Sequence, residues 1–164
     1  MNSLTLLLLF IGSLRTIQDV DFTNFTFPSF AGLKSIPVQN GDFCSPPNED
    51  VCVTLRGPRY GDLTGDGLPE AVLSLHAVFR SGNGSHSMGF VYGLIGGQPR
   101  LLGRFAGGDR GNGGIIEYRI RRQRLEVLRM QASCAACSDA TEEDVFKWNG
   151  RRLVLVSSCI RQNN

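Results

Sequence analysis

The chain is short of net charge, of long apolar runs and of histidine. Its 17 Lys and Arg residues nearly balance 15 Asp and Glu residues, and a net charge of +2 is too small to predict nucleic-acid binding. Its longest apolar stretch is about eight residues, whereas a membrane-spanning helix needs about 20. With 41% hydrophobic residues and no collagen-like repeat among its 20 glycines, the chain is neither disordered nor fibrous. A small globular domain remains.

Helical periodicity and internal repeats are nearly absent as well. Short extended segments alternate with turns that contain glycine and proline, which is typical of β-proteins. The pairs Asn40-Gly41 and Asn149-Gly150 predict two tight hairpin turns. The sequence therefore predicts an all-β, mainly antiparallel, single-domain sandwich or open barrel with at most one short helix, in residues 133–143.

The predicted strands share short length and flanking turn residues. The segment 70–79 is the most apolar and is predicted to be central. In the first segment, Phe25 and Phe27 are predicted on one face and Phe22 on the other. The strands are residues 20–27, 33–38, 51–55, 70–79, 87–95, 100–105, 115–120, 125–130, 144–148 and 152–157, and the predicted aromatic core is Phe25, Phe27, Phe90, Tyr92, Phe146 and Trp148.

The first residues form an apolar run that is followed by small residues, which is typical of a signal peptide. We predict a leader over residues 1–19 and a single β-rich domain over residues 20–164. The alternative is a buried N-terminal strand or helix. Export would place the protein outside the cytoplasm, periplasmic or secreted, with no membrane span after removal of the leader.

The five cysteines are an odd number, so one thiol must stay unpaired or pair between chains. In an oxidising compartment, Cys44 and Cys52 would close a short ring, while Cys134, Cys137 and Cys159 compete for a second bridge. Zinc and redox catalysis are the alternatives for Cys134 and Cys137, but the chain has only two histidines, both distant in sequence. We expect structural disulfides or buried thiols, with His76 in a strand and His86 in a loop, neither of them catalytic.

One acidic loop, residues 62–70, carries the clearest chemical pattern. Oxygen-bearing side chains occupy its positions 1, 3, 5 and 9, and glycine occupies position 6, as in the first half of an EF-hand loop. The pattern predicts calcium ligation by the side chains of Asp62, Thr64 and Asp66, by the Leu68 carbonyl, and by Glu70 directly or through water. The alternative is an Asx-type turn without an ion, in which the carboxylates accept backbone amides.

The acidic loop and the apolar strand after it resemble the calcium loops of FG-GAP/VCBS repeats of integrin-type propellers. Thr64 stands where those loops have Asn or Asp, and the motif occurs once, which excludes a propeller. The wider chain resembles a family of uncharacterised exported bacterial proteins, through residues 20–27, 61–67, 101–110 and 148–150. That resemblance implies export and a calcium loop, but no activity.

Two further segments are candidate partner surfaces. The arginine hairpin, residues 119–124, carries Arg119, Arg121, Arg122 and Arg124, and is either a solvated hairpin tip or a docking patch for an anionic partner. No aromatic residues interleave with these arginines, which disfavours single-stranded nucleic acid. The glycine-rich loop 106–114 lacks the residues of a phosphate-binding loop and offers Asp109 and Arg110.

These observations favour an exported, non-enzymatic β-domain with a calcium-stabilised acidic loop and a binding or structural role. Its partner would be a protein or a component of the cell envelope, and the chain would be a monomer. One alternative is a hydrolase, or an accessory module of one, in which the acidic loop meets Asp109 and Arg110. Another is an inhibitor or adhesion module that acts through the arginine hairpin.

Overall fold

A computed structural model describes residues 16–47, 50–82, 84–109, 114–131 and 140–162. Two single 3₁₀ turns, Ile17–Asp19 and Phe22–Asn24, precede the strands. The strands are β1 (Thr26–Phe30), β2 (Leu33–Pro37), β3 (Asp42–Cys44), β4 (Val51–Gly61), β5 (Glu70–Phe79), β6 (Ser85–Ile95), β7 (Gln98–Asp109), β8 (Ile115–Arg121), β9 (Arg124–Gln131), β10 (Ala140–Trp148) and β11 (Leu153–Gln162).

The strands form three antiparallel sheets, so the all-β prediction is confirmed. A five-stranded sheet has the order β3-β4-β5-β6-β7, a four-stranded sheet has the order β11-β10-β9-β8, and β1 pairs with β2. Neighbouring strands in each sheet are consecutive in the sequence. This is the arrangement expected where short turns join successive strands.

The five-stranded sheet is covered on both faces, which makes the molecule a β-sandwich. On one face a first core contains Phe22, Phe27, Leu73 and Phe90, and it lies under the β1–β2 hairpin. On the other face a second core holds side chains of the four-stranded sheet against the central one: Leu63, Val72, Val91, Phe105, Tyr118, Leu125 and Val127. Strand β5 is buried on both faces, as its apolar sequence predicts.

The N-terminal strand prediction, residues 20–27, is wrong over residues 20–25, because β1 begins only at Thr26. Residues 22–24 form a 3₁₀ turn because the Asp21 carboxylate accepts the backbone N–H of Thr23 at 3.0 Å. The turn rotates Phe22 toward the same side as its neighbours. Its ring centroid lies 5.1 Å from that of Phe25 and 6.5 Å from that of Phe27, so the three rings share one core instead of opposite faces.

Other local predictions also change. Residues 140–143 begin β10 and are not helical, while residues 132–139 lie outside the described part of the chain. His86 lies in β6 and packs edge-on against Phe79, with 5.5 Å between ring centroids, so it is not a loop residue. His76 is a strand residue, as predicted.

The Cys44–Cys52 disulfide is present, as the sequence predicts. It joins directly opposite residues of the antiparallel pair β3 and β4. Cys159 is a free, exposed thiol on β11. The predicted competitors Cys134 and Cys137 lie outside the described residues.

Most of the predicted leader, residues 1–15, also lies outside the described part of the chain. Its last residues are described, and Ile17 is 1% exposed within the first core. We therefore expect any cleavage to fall before Ile17. None of the helices that the structure describes is long and apolar enough to cross a membrane.

Candidate functional site

The acidic loop joins β4 to β5 across one end of the central sheet. Gly65 and Gly67 have φ values of +84° and +85°, a conformation that glycine adopts without strain, and they bend the loop sharply. The Asp62 carboxylate accepts the N–H of Gly65 at 2.6 Å and that of Gly67 at 3.2 Å. The Asp66 carboxylate accepts the N–H of Leu68 at 2.9 Å.

Glu70 anchors the loop from within the protein. Its side chain is buried, and Oε2 accepts the backbone N–H groups of Leu63 at 2.7 Å and Thr64 at 3.0 Å. The Thr64 hydroxyl donates to Oε1 at 3.2 Å. Burial raises the pKa of Glu70 above its ordinary value, although these hydrogen bonds act in the opposite direction. Leu63, held by this contact, lies in the second core.

As placed, these side chains do not fit a calcium ion. In the described part of the chain, no group of three or more His, Cys, Asp or Glu residues is positioned to hold a metal. Asp62, Asp66 and Glu70 each turn toward backbone amides, which offset their charge in place of a cation. The hydrogen bonds match the Asx-type turn, and calcium ligation by Asp62, Thr64, Asp66, Leu68 and Glu70 stays a hypothesis from the sequence.

The tip of the arginine hairpin lies against the acidic loop, which the sequence did not predict. Arg122 and Gln123 form the two-residue turn between β8 and β9, with φ values of 49° and 58°. A Cβ added at Gly65 would lie 3.1 Å from Oε1 of Gln123. A Cβ added at Gly61, the residue just before the acidic loop, would lie 2.8 Å from Cβ of Ile120. The hairpin therefore packs closely against this end of the loop because residue 61 has no side chain.

The arginines of the hairpin differ in their surroundings. Arg119 is paired with Glu126, with 2.6 Å between Nε and Oε2, and this contact raises the pKa of Arg119. Arg121, Arg122 and Arg124 are exposed. The exposure of these three arginines agrees with both sequence interpretations, a solvated hairpin tip and a docking patch for an anionic partner.

A cavity of about 720 Å³ opens between the acidic loop, the β6–β7 turn and the start of the described chain. Thr64, Asp66 and Glu70 border it on the acidic-loop side. Leu68, in the acidic loop, and Ile95, the last residue of β6, are each 58% exposed, which is a large exposure for apolar side chains. Most of the other lining is apolar: Ile17, Leu94, Leu102 and Trp148.

Comparison with known proteins found no matching family model, no matching curated protein and no matching solved structure. The resemblance to FG-GAP/VCBS calcium loops and to exported bacterial proteins therefore stays a prediction from the sequence.

The predicted meeting of the acidic loop with Asp109 does not occur. In β6, Tyr92 pairs with Ala71 beside the acidic loop, whereas His86 pairs with Asp109. Those two positions of β6 are six residue steps apart, which corresponds to about 20 Å at the rise of a β-strand. Asp109 thus ends β7 at the far end of the sheet, and Arg110 lies outside the described residues. The hydrolase interpretation requires the acidic loop and Asp109 to lie in one site, and these positions of the backbone are too far apart for that.

The sequence does not predict the cavity, because the residues that line it come from distant segments of the chain. Leu68 precedes Pro69 in the acidic loop, Ile95 precedes Gly96 in the β6–β7 turn, and Trp148 ends β10. The available signal was a large apolar residue placed within or beside each turn, where polar residues are usual. Only the fold brings the three together.

Proposed function

We propose that this protein is an exported, non-enzymatic binding module whose ligand enters the cavity beside the acidic loop. The observation that carries the proposal is an apolar cavity of about 720 Å³ with carboxylates at one side. Ligand pockets in proteins commonly have volumes of about 300–1,000 Å³ and combine apolar walls with a few polar groups. Export is supported by the Cys44–Cys52 disulfide, since such bonds persist in oxidising compartments.

The lining indicates the chemistry of the ligand. Leu68, Ile95 and Trp148 would contact an apolar body. The exposed Asp66 carboxylate uses one oxygen for Leu68 N–H, which leaves its other oxygen for a cationic or N–H-bearing group. We therefore expect a small amphiphile, or an apolar side chain of a partner, with positive charge at one end.

A binding role agrees with the cavity's chemistry better than catalysis does. Its described lining contains no His, Cys, Ser or Lys. The Glu70 carboxylate accepts hydrogen bonds from two backbone amides and a hydroxyl, so its oxygens are not positioned to exchange a proton with a substrate. The arginine hairpin, with Arg119 already paired, is the weaker candidate for a docking surface.

The single tryptophan of the chain, Trp148, lines the cavity and supplies a direct assay. We expect saturable changes in its fluorescence on titration with a decyl-trimethylammonium salt below its micelle concentration, and at least about fivefold weaker binding of decyl sulfate, a difference near 1 kcal/mol. Leu68→Ser should weaken both, because it removes an exposed apolar wall.

Asp66→Asn should reduce the preference for the cationic probe, since the same shape then lacks the charge. Asp42→Asn is the matched control, an exposed aspartate outside the cavity lining. Equal binding of both probes by the native chain would contradict the proposed polarity. An unchanged Trp148 signal with both probes would contradict the binding site itself.

A further inference from the structure

Strand β11 forms a long free edge of the four-stranded sheet. It pairs with β10 on one side and with no other strand among those the structure describes. One row of its backbone N–H and C=O groups therefore faces outward, the arrangement that pairs with another extended chain. Its residues 155–162 are all exposed, including Leu155 at 49%, Val156 at 52% and Ile160 at 58%.

The usual protections of an edge strand are nearly missing from β11. The strand contains no proline and no lysine, and its only charged residue, Arg161, is already paired with Glu143 at 3.4 Å. A bulge opposite Val145 and Phe146 interrupts only its first half, so residues 157–162 pair regularly with β10. The outward-facing backbone N–H and C=O groups of residues 157–162 are therefore regularly spaced and can pair with another strand.

The other sheet edges are shorter or contacted. Strand β3 has three residues. On β8, the Tyr118 hydroxyl donates to the Arg56 carbonyl of β4 at 2.6 Å. On β7, Arg104 donates to the Ser29 carbonyl at 3.0 Å, and Leu153 lies against Gly103. Strand β11 takes part in the last of these contacts only through its first residue, Leu153, so among the described strands its residues 157–162 form a regular edge segment that is outside such contacts.

We propose that β11 pairs antiparallel with β11 of a second copy of this chain, about a twofold axis at Cys159. In this register Ile160 faces Ser158, and Arg161 faces Ser157, so no like charges oppose each other. The arrangement is isologous, uses the same edge twice and leaves no edge free at the joint. The two four-stranded sheets would become one continuous sheet of eight strands.

The cysteine content of the chain favours a second copy over an unrelated strand. An odd number of cysteines leaves a thiol for pairing between chains, and Cys159 is free and exposed on the proposed edge. Opposed residues of antiparallel strands have Cα atoms about 4.5–5.5 Å apart, within reach of a disulfide. Cys44 and Cys52 already form such a cross-strand bridge in this chain.

The test measures mass by light scattering after size exclusion, with the full chain under reducing conditions. We expect a concentration-dependent dimer. Ile160→Lys should weaken it at least tenfold, because a charge would enter the joint. Ile116→Lys, at a side chain that is 47% exposed on β8, is the matched control and should leave the dimer unchanged. A chain that is monomeric at all concentrations, or equal effects of the two variants, would overturn the proposal.

Covalent trapping reports the register. Oxidised glutathione would take two electrons from the two Cys159 thiols and become two reduced glutathione molecules, while the thiols lose two protons and form one disulfide. We expect a product of twice the chain mass on a non-reducing gel, a Cys159–Cys159 peptide in the digest, and no product from Cys159→Ser. A dimer linked through Cys134 or Cys137 instead would refute the twofold axis at Cys159.

Discussion

Replacing Glu70 by alanine should lower the free energy of unfolding by about 3 kcal/mol, because the acidic loop depends on this buried carboxylate. The side chain accepts three hydrogen bonds, from the N–H groups of Leu63 and Thr64 and from the Thr64 hydroxyl. The hydrogen bond from Leu63 is buried, and its loss leaves an unsatisfied amide that costs about 1–3 kcal/mol. Thr64 is half-buried, so water would replace part of its contribution.

The estimate is smaller than the sum of three charge-assisted hydrogen bonds. Burial raises the pKa of Glu70, which means that the folded protein already disfavours the charged form and that part of the gain is offset. For a domain of this size, a loss of 3 kcal/mol corresponds to a fall in Tm of about 10 °C.

The assay is urea unfolding followed by Trp148 fluorescence, since Trp148 packs against the second core. Glu70→Gln is the first control: its amide oxygen still accepts N–H groups, so we expect a loss below about 1 kcal/mol. Asp66→Asn is the second control and should cost less than about 0.5 kcal/mol, because it changes one exposed contact. If Glu70→Ala stays within about 0.5 kcal/mol of the native chain, the role assigned to this carboxylate is wrong.

The same residue predicts a pH dependence with a defined sign. Because the folded pKa of Glu70 lies above its ordinary value of 4.5, the folded chain binds its proton more tightly than the unfolded chain does. The Glu70 contribution to stability is therefore full below pH 4.5 and falls as pH rises through the folded pKa. Glu70→Gln removes this dependence, so its stability relative to the native chain should improve across that interval. The opposite trend would show that hydrogen bonding outweighs burial at this site.

Two further predictions concern calcium and a glycine in the core. Because backbone amides already donate to the loop carboxylates, we expect 1 mM Ca²⁺ to shift Tm by less than about 1 °C in a thermal melt. A calcium site filled at 100 times its Kd would instead add about 2.7 kcal/mol to the free energy of unfolding. A large rise in Tm that Asp66→Ala abolishes would establish the calcium hypothesis. Gly89→Ala should lose about 1–3 kcal/mol in urea unfolding, since the added Cβ would overlap the ring of buried Phe105. Gly82→Ala is its control, since among the described residues beyond its chain neighbours the added Cβ would approach only Gly84 N, at 4.0 Å, and equal effects of the two variants would contradict the packing argument.

Local chemistry was sufficient for much of the fold. Alternating apolar residues and turn pairs such as Asn149-Gly150 act within a few residues, and they located most of the strands and the β10–β11 hairpin. Strand β3 was not predicted, and Asn40-Gly41 turns the chain between β2 and β3, which lie in different sheets. The error at residues 22–24 has a local cause as well. Asp21 caps a turn that competes with the strand, and its carboxylate contact outweighed the apolar alternation of the neighbouring phenylalanines.

The candidate site was predictable only in part. Asp62, Asp66 and Glu70 lie in one loop, because their spacing confines them to a single turn, while their predicted role as calcium ligands stays a prediction. Their partners were not predictable, since carboxylates that accept amides and carboxylates that bind calcium share the same spacing. The contact between Gly65 and Gln123 joins residues 58 positions apart, which no local pattern reports.

By itself, the sequence determined the β class, the Cys44–Cys52 bridge, the central position of β5 and the existence of an acidic turn, because each depends on residue type and short-range spacing. The tertiary structure alone decided that Glu70 is buried on backbone amides, that the acidic loop and the arginine hairpin touch, and that Leu68, Ile95 and Trp148 enclose a cavity. The physical reason is that burial and proximity between distant segments follow from how two sheets pack, which involves the whole chain at once.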